Sequence, residues 1–372
     1  MQKSPFFYVL KGFITNTHHI WAFVFFLILF CNAVCKGEET KKDTSKIKKI
    51  TFDTNYVKLY NKNFIIRGWL DYKVISLSMT PLDIGTMLEK SIIYIPNVST
   101  SMGLAASYKF ITLSYSFKIP HSTRNVDKYG SSTYRDIKFT FTKQKFIASG
   151  ILRQYKGFYI ENTTSLFTSW FEDKHPRHRP DIQYTYLGME GFWIFNNKKF
   201  SSDAFFTQKN IQYKSAFSLL AMGDLGITQL KGDPDSTLIP KETGYSGELS
   251  DVSKLNFYSI DASIGATYSW VIGHRVYISP ILFGGFGIQV KQYKKSADDL
   301  IKVRLIYRIN FRLSMGYNSK SFFGGLFIET ENMLMPDKKI FMMSNALAIN
   351  GFLGVKFNVF KNLGKKKTKT IK

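Results

Sequence analysis

The chain has 372 residues, a formal charge of +24 and 16% aromatic residues, with 34 Phe and 21 Tyr. Its only cysteines, Cys31 and Cys35, lie close to the N-terminus. Disulfide frameworks, thiolate catalysis and cysteine-based zinc sites are therefore excluded from the rest of the chain.

The first segment has the order of an export signal. Lys3 and Lys11 precede the apolar run "IWAFVFFLILF" (20–30), and "CNAVC" (31–35) offers cleavage after Ala33 or Cys35. Residues 1–35 are expected to be a signal peptide and 36–50 a polar linker. Much of the positive charge sits in two low-complexity ends, "KKDTSKIKK" (41–49) and the basic tail "KNLGKKKTKTIK" (361–372). Such basicity in a cytosolic protein would suggest nucleic acid; with export, anionic lipid head groups or small anionic solutes are the expected partners. No later segment approaches ~18 uninterrupted apolar residues, the length needed for a spanning helix. An exported chain of this kind crosses a membrane as a closed barrel.

Strand-like alternation begins at "NFIIRGWL" (63–70) and "KVISLSMT" (73–80), read as a hairpin. It continues through "TSMGLAASYKF" (100–110), "ITLSYSFK" (111–118), "YRDIKFTFT" (134–142), "KFIASGILRQYKGFYI" (145–160) and "IQYTYLGMEGFWIF" (182–195). A turn at "NNKK" (196–199) leads to "FSSDAFFTQ" (200–208), read as another strand. "AFSLLAMGDLGIT" (216–228), "LNFYSIDASIGATYSW" (255–270) and "RVYISPILFGGFGIQV" (275–290) follow. "KVRLIYRINFRLSMGYN" (302–318) is the clearest segment of all. Its apolar residues, Val303 to Tyr317 at every odd position, would wrap a helix completely but form one face of a strand. Arg304, Arg308 and Arg312 lie on the opposite face. "SFFGGLFIETEN" (321–332) and "ALAINGFLGVKFNVF" (346–360) complete the series. A strand crossing a bilayer obliquely needs about 9–11 residues, apolar outward and polar inward. The expected fold is all-β: a single antiparallel transmembrane barrel over residues 51–360 with 12–14 strands, an even number.

The same alternation turns Arg304, Arg308, Arg312, Asp261, Glu329 and Glu331 toward the lumen. Two roles are open to them: an ion-pair network filling the interior, or a row of unpaired arginines attracting anions along a pore. Other constellations are weaker. "EDKHPRHRPD" (172–181) holds His175, His178, Asp173 and Asp181, but Arg177 and Arg179 would repel a cation, and a solvated loop is expected. "KGDPDSTLIPKE" (231–242) begins like a calcium loop yet has Gly244 where the twelfth-position Glu belongs, so a turn-forming loop is expected. His121 follows Pro120 in a loop and His274 lies in the tight turn "VIGHRV" (271–276). No Ser–His–carboxylate set converges, no glycine-rich phosphate cradle opens a helix, and neither an enzyme nor a cofactor is expected.

Six short stretches, "FDTNYV" (52–57), "YRDIKF" (134–139), "RQYKGFYI" (153–160), "RPDI" (179–182), "LKGDPDSTLIP" (230–240) and "GYNS" (316–319), resemble in their order a family of bacterial proteins called domain of unknown function 4421. The resemblance implies an exported outer-membrane β-barrel and carries no activity or functional residue with it. Outer-membrane lipids and the outer-membrane assembly machinery are then the expected partners, with no nucleic acid. Two functions are open: a channel or binding barrel with a cationic lumen for anionic solutes, or a plugged structural or assembly barrel binding lipid head groups or partner proteins. A lipid-modifying enzyme is a third.

Overall fold

The computed structural model describes residues 52–358, apart from 61–62, 83–90, 99, 120–124, 167–174, 234, 244–248, 296–298 and 338–339. The expected signal peptide, linker and basic tail, with Cys31 and Cys35, lie outside the described residues, as do His121 and Asp173.

Alternation of apolar and polar residues produces fifteen strands: β1 (Val57–Leu59), β2 (Phe64–Pro81), β3 (Ile92–Ile95), β4 (Thr100–Tyr108), β5 (Ile111–Lys118), β6 (Thr133–Lys143), β7 (Phe146–Ile160), β8 (Arg177–Ile194), β9 (Asn210–Gln212), β10 (Ala216–Lys231), β11 (Lys254–Ile272), β12 (Val276–Lys294), β13 (Leu300–Asn318), β14 (Phe322–Met335) and β15 (Ile340–Phe357). Single helical turns occur at α1 (Val126–Tyr129), α2 (Thr163–Leu166) and α3 (Ser202–Phe205). Twelve strands close one antiparallel barrel in the order β2-β4-β5-β6-β7-β8-β10-β11-β12-β13-β14-β15, and β15 pairs back onto β2 from Phe357↔Phe64 to Ile340↔Pro81. Closure leaves no wall strand with an unpaired edge, which is what a barrel in lipid requires.

Two sequence expectations need correction, and together they bring fourteen strands to twelve. Residues 63–80 are one continuous strand, β2, rather than a hairpin, because Asp71 and Lys73 stay in register and point inward instead of turning the chain. Residues 200–208 are not a strand. They form α3 and a left-handed residue, Gln208 at φ 55°, inside the connection from β8 to β10.

One rim carries both described ends of the chain and tight turns between β4 and β5, β6 and β7, β11 and β12, and β13 and β14. The long β8–β10 connection starts from this rim too; the connections after β2, β5, β7, β10, β12 and β14 lie at the other, called here the long-loop rim. There β3 bridges β2 (Leu77↔Tyr94) and β7 (Tyr94↔Ile160) beyond the ends of the shorter strands β4, β5 and β6.

The outward face is apolar. Ile264 is 73% exposed, Leu353 74% and Phe286 68%, and Ile260, Leu282, Leu305, Ile309 and Leu326 are also exposed. Water would oppose such a surface and lipid tails solvate it, so the barrel spans a membrane. Aromatic side chains such as Trp193, Phe195, Phe217, Trp270, Phe322 and Phe357 are exposed near the tight-turn rim, the position of an interfacial girdle.

Candidate functional site

The inner wall is charged at mid-height. Arg67, Lys73, Lys138, Arg153, Arg308 and Arg312 share it with Asp71, Asp136, Glu190, Asp224, Asp261, Glu329 and Glu331, so six cations meet seven anions. Arg308, 7% exposed, donates from Nη2 to Asp261 Oδ2 at 2.8 Å and to Asp224 Oδ1 at 3.3 Å. Arg312 donates from Nη2 to Glu190 Oε2 at 2.6 Å, and its Nε lies 2.6 Å from Glu329 Oε1. Arg153 donates to Asp136 Oδ2 at 2.7 Å and reaches Glu331 Oε2 at 3.5 Å. Arg304 lies nearer the long-loop rim and pairs with Asp337 at 3.1 Å. All six residues singled out in the sequence face inward. The interior expected to be cationic is instead charge-balanced at this level, because acids on β8, β10, β11 and β14 reach the arginines.

Sequence reasoning missed several members of this network. Asp71 and Lys73 were hidden by the hairpin reading. Asp136, Lys138, Arg153, Glu190 and Asp224 sit on the polar side of their alternating strands, and that parity was the available signal.

Below the charged layer, toward the tight-turn rim, the β8–β10 connection folds into the lumen. Asn318 donates from Nδ2 to the carbonyls of Ala204 and Asn210 at 2.8 and 2.9 Å. Ser314 Oγ donates to the Phe205 carbonyl at 2.7 Å, and Arg67 Nη1 to the Phe206 carbonyl at 2.6 Å. The wall thus satisfies backbone groups that would otherwise be buried without partners. Phe200 and Phe205 pack with Phe192, Ile194, Leu220, Tyr277, Ile281 and Phe283. β9 pairs with β1, which ties the entering chain to the same plug.

Above the charged layer, an apolar cluster fills the lumen. Leu238, Ile239, Leu249 and Val252 from the β10–β11 connection join Leu77, Met79, Tyr94, Tyr155, Phe257, Tyr293 and Met342 from the wall and β3. The Tyr94 hydroxyl donates to the Leu238 carbonyl. Residues 177–181, expected to lie in a solvated loop, begin β8 instead. Arg179 is 5% exposed and donates to both Asp181 carboxylate oxygens at 2.8 Å and to Ser236 Oγ at 2.8 Å. His178 lies beside the Lys128 carbonyl at 3.0 Å and His274 beside that of Tyr213 at 3.0 Å, so these two histidines stand at opposite rims. Among the described residues no group of three or more His, Cys, Asp or Glu is placed to hold a metal ion.

Among the described residues the interior includes two cavities. One of about 230 Å³ lies between the plug and the charged layer, against the small side chains Thr112, Ser114, Ser116, Ala346 and Ala348. Trp69 lies flat over Gly103 on this side; a Cβ there would come within 2.2 Å of the indole Cζ2. A second cavity of about 70 Å³ lies between the charged layer and the apolar cluster. Arg153, Glu190 and Glu331 line both.

These features define a closed antiparallel membrane-spanning β-barrel with a filled interior. The chain belongs to the family described as Domain of unknown function (DUF4421), whose model matches residues 51–357. No curated protein matches the sequence. Solved structures similar to it include the outer-membrane protease OmpT from Escherichia coli, at 7% identity and TM-score 0.32 over 80% of this chain and 98% of that one. The COG4313 outer-membrane channel from Pseudomonas putida F1 is similar at 11% identity and TM-score 0.37, over 82% and 99%. OmpT of Vibrio cholerae is similar at 6% identity and TM-score 0.32, over 79% and 98%.

Proposed function

We propose that this protein is an outer-membrane barrel closed to conduction by its own interior, with the long-loop rim facing outside. Four tight turns on one rim, whose single long connection folds back into the lumen, support that orientation, since bacterial barrels keep short turns on the periplasmic side. Export through a signal peptide and insertion by the outer-membrane assembly machinery belong to the same reading. The observation that carries it is the β8–β10 connection, held inside the lumen by Arg67, Ser314 and Asn318. Planar-bilayer recording tests it. The purified protein should give no steady conductance. A steady wild-type pore would overturn the reading.

A binding role for the 230 Å³ cavity is the second reading, favoured by Lys138. Its side chain is 35% exposed on the cavity wall, and its ion pair with Glu190 is 3.5 Å long. A small anionic solute would sit against that ammonium. Titration of the purified barrel with short carboxylates checks this, with binding expected to fall in Lys138→Gln. Equal binding by both forms would dismiss it.

A further inference from the structure

Four wall strands carry, toward the long-loop rim, an amide, an apolar residue and a lysine in succession; β10, β11 and β12 end on that lysine, and β7 runs four residues beyond it. The triplets are Gln154-Tyr155-Lys156 on β7, Gln229-Leu230-Lys231 on β10 and Gln292-Tyr293-Lys294 on β12, with the reversed Lys254-Leu255-Asn256 on β11. β11 runs in the opposite direction, so reversal brings like residues level. Strand register aligns them: Lys231 opposes Lys254, Lys254 opposes Lys294, and Gln183 of β8 bridges Lys156 and Lys231. The middle residues Tyr155, Leu230, Leu255 and Tyr293 are buried inward. The lysines and amides therefore stand on the other side of the wall, where Lys156 and Lys231 are exposed and Lys254 and Lys294 half-buried, while Asn256 and Gln292 are buried, Gln292 Nε2 donating to Asp299 Oδ2 at 3.1 Å.

Three levels follow one another on this outer surface. Leu187, Ile227, Tyr258 and Val290 are aligned at the edge of the apolar belt. Next come Thr185, Gln229, Asn256 and Gln292. Gln229 Nε2 donates to Asn256 Oδ1 at 3.0 Å, and Asn256 Nδ2 donates to Gln292 Oε1 at 3.1 Å. The lysine row lies beyond. Among the described residues only Lys294 of this row forms an ion pair, with Asp299.

Like charges directly opposed across strands destabilise a sheet. Here three lysines are stacked on adjacent strands just beyond the edge of the apolar belt. We propose that this outward row binds the phosphate groups of lipids in the leaflet on the long-loop side. Phosphates there cancel the repulsion between the ammonium groups. The lysine stems lie over the belt with their charges at the head groups. The proposal does not depend on whether the lumen conducts.

Native mass spectrometry of the barrel in a non-ionic detergent tests it, with dioctanoyl phosphatidic acid, dioctanoyl phosphatidylcholine and inorganic phosphate as separate probes. Phosphatidic acid should bind and phosphatidylcholine should bind more weakly. Each lysine changed to Gln among Lys156, Lys231 and Lys254 should weaken phosphatidic acid binding about fivefold, the effect of about 1 kcal/mol per basic residue at a lipid surface. The corresponding triple Arg variant should retain it, and Lys198→Gln at the opposite rim should leave it unchanged. Heat-dependent gel mobility identifies folded variants. Undiminished binding to the triple Gln variant, equal binding of both lipids, or displacement of the lipid by equimolar inorganic phosphate would overturn the proposal.

Discussion

Arg153 on β7 and Glu331 on β14 sit six strands apart in a twelve-stranded wall, yet Arg153 Nη1 and Glu331 Oε2 are 3.5 Å apart. The pair joins opposite sides of the barrel. Arg312 and Glu190, four strands apart, meet at 2.6 Å, and Arg308 and Asp224, three strands apart, at 3.3 Å. The interior is therefore cross-braced by ion pairs and not only lined with charge.

Both members of the Arg153–Glu331 pair keep some access to the cavities, with side chains 20% and 29% exposed. A double-mutant cycle using Arg153→Met and Glu331→Gln should give a coupling of about 1 kcal/mol, at the upper end for incompletely buried pairs. Urea unfolding in detergent, followed by tryptophan fluorescence, measures it. Zero coupling would remove the brace.

Among the described residues, Arg308 is the only guanidinium shared by Asp224 and Asp261, which oppose each other directly on β10 and β11. Arg308→Met should destabilise the barrel by about 3–5 kcal/mol, since it leaves two buried carboxylates facing each other. Adding Asp224→Asn should restore a large part of that loss. Midpoints of thermal unfolding for the single and double variants check the order.

Lys209 in the plug is 4% exposed and donates to Thr142 Oγ1 at 3.0 Å. Burial lowers its pKa below the ordinary lysine value, an effect partly opposed by Asp203. The folded state therefore holds the proton less firmly than the unfolded one. Below the folded pKa the charged form imposes its full penalty; stability gained from losing the proton grows as pH rises from there toward the unfolded pKa. Lys209→Met should raise stability at neutral pH by about 1–3 kcal/mol, the scale of a poorly compensated buried polar group. It should also flatten the rise on the alkaline side. Unfolding midpoints across neutral to alkaline pH, compared between the two proteins, check both.

Gly103 leaves room for Trp69, whose Nε1 donates to Asp71 Oδ2 at 2.9 Å. Gly103→Val should push the indole into the 230 Å³ cavity and break that bond. Tryptophan emission should shift, and stability should fall by about 1–3 kcal/mol, the usual cost of overpacking. An unchanged spectrum would mean that the ring does not rest on Gly103.

Much of the wall is legible in the sequence because a barrel strand obeys one simple rule of parity. β13 shows this, since its odd and even residues alone place Arg304, Arg308 and Arg312 inward. The rule fails where charged wall residues look like turn residues, as with Asp71 and Lys73. It fails again where an apolar stretch serves a plug. Phe200, Ala204 and Phe205 present a short helical turn to the lumen, and only the loop's return into the barrel gives that spacing its meaning. The partners of the arginines are not readable at all. Arg153 and Glu331 lie 178 residues apart, and which side chains meet across the lumen depends on the number of strands and their register. The lysine row has a local signature, but strand direction must be known before its reversed copy on β11 can be recognised.

β3 has a consequence for the order in which the molecule is made. It pairs with β2 and β7, while three shorter strands occupy the wall between those two. Four residues of β3 cannot find both neighbours until the β4–β7 meander has been laid down beside β2. β3 thus emerges early from the ribosome but takes its place late, as a keystone set after its arch.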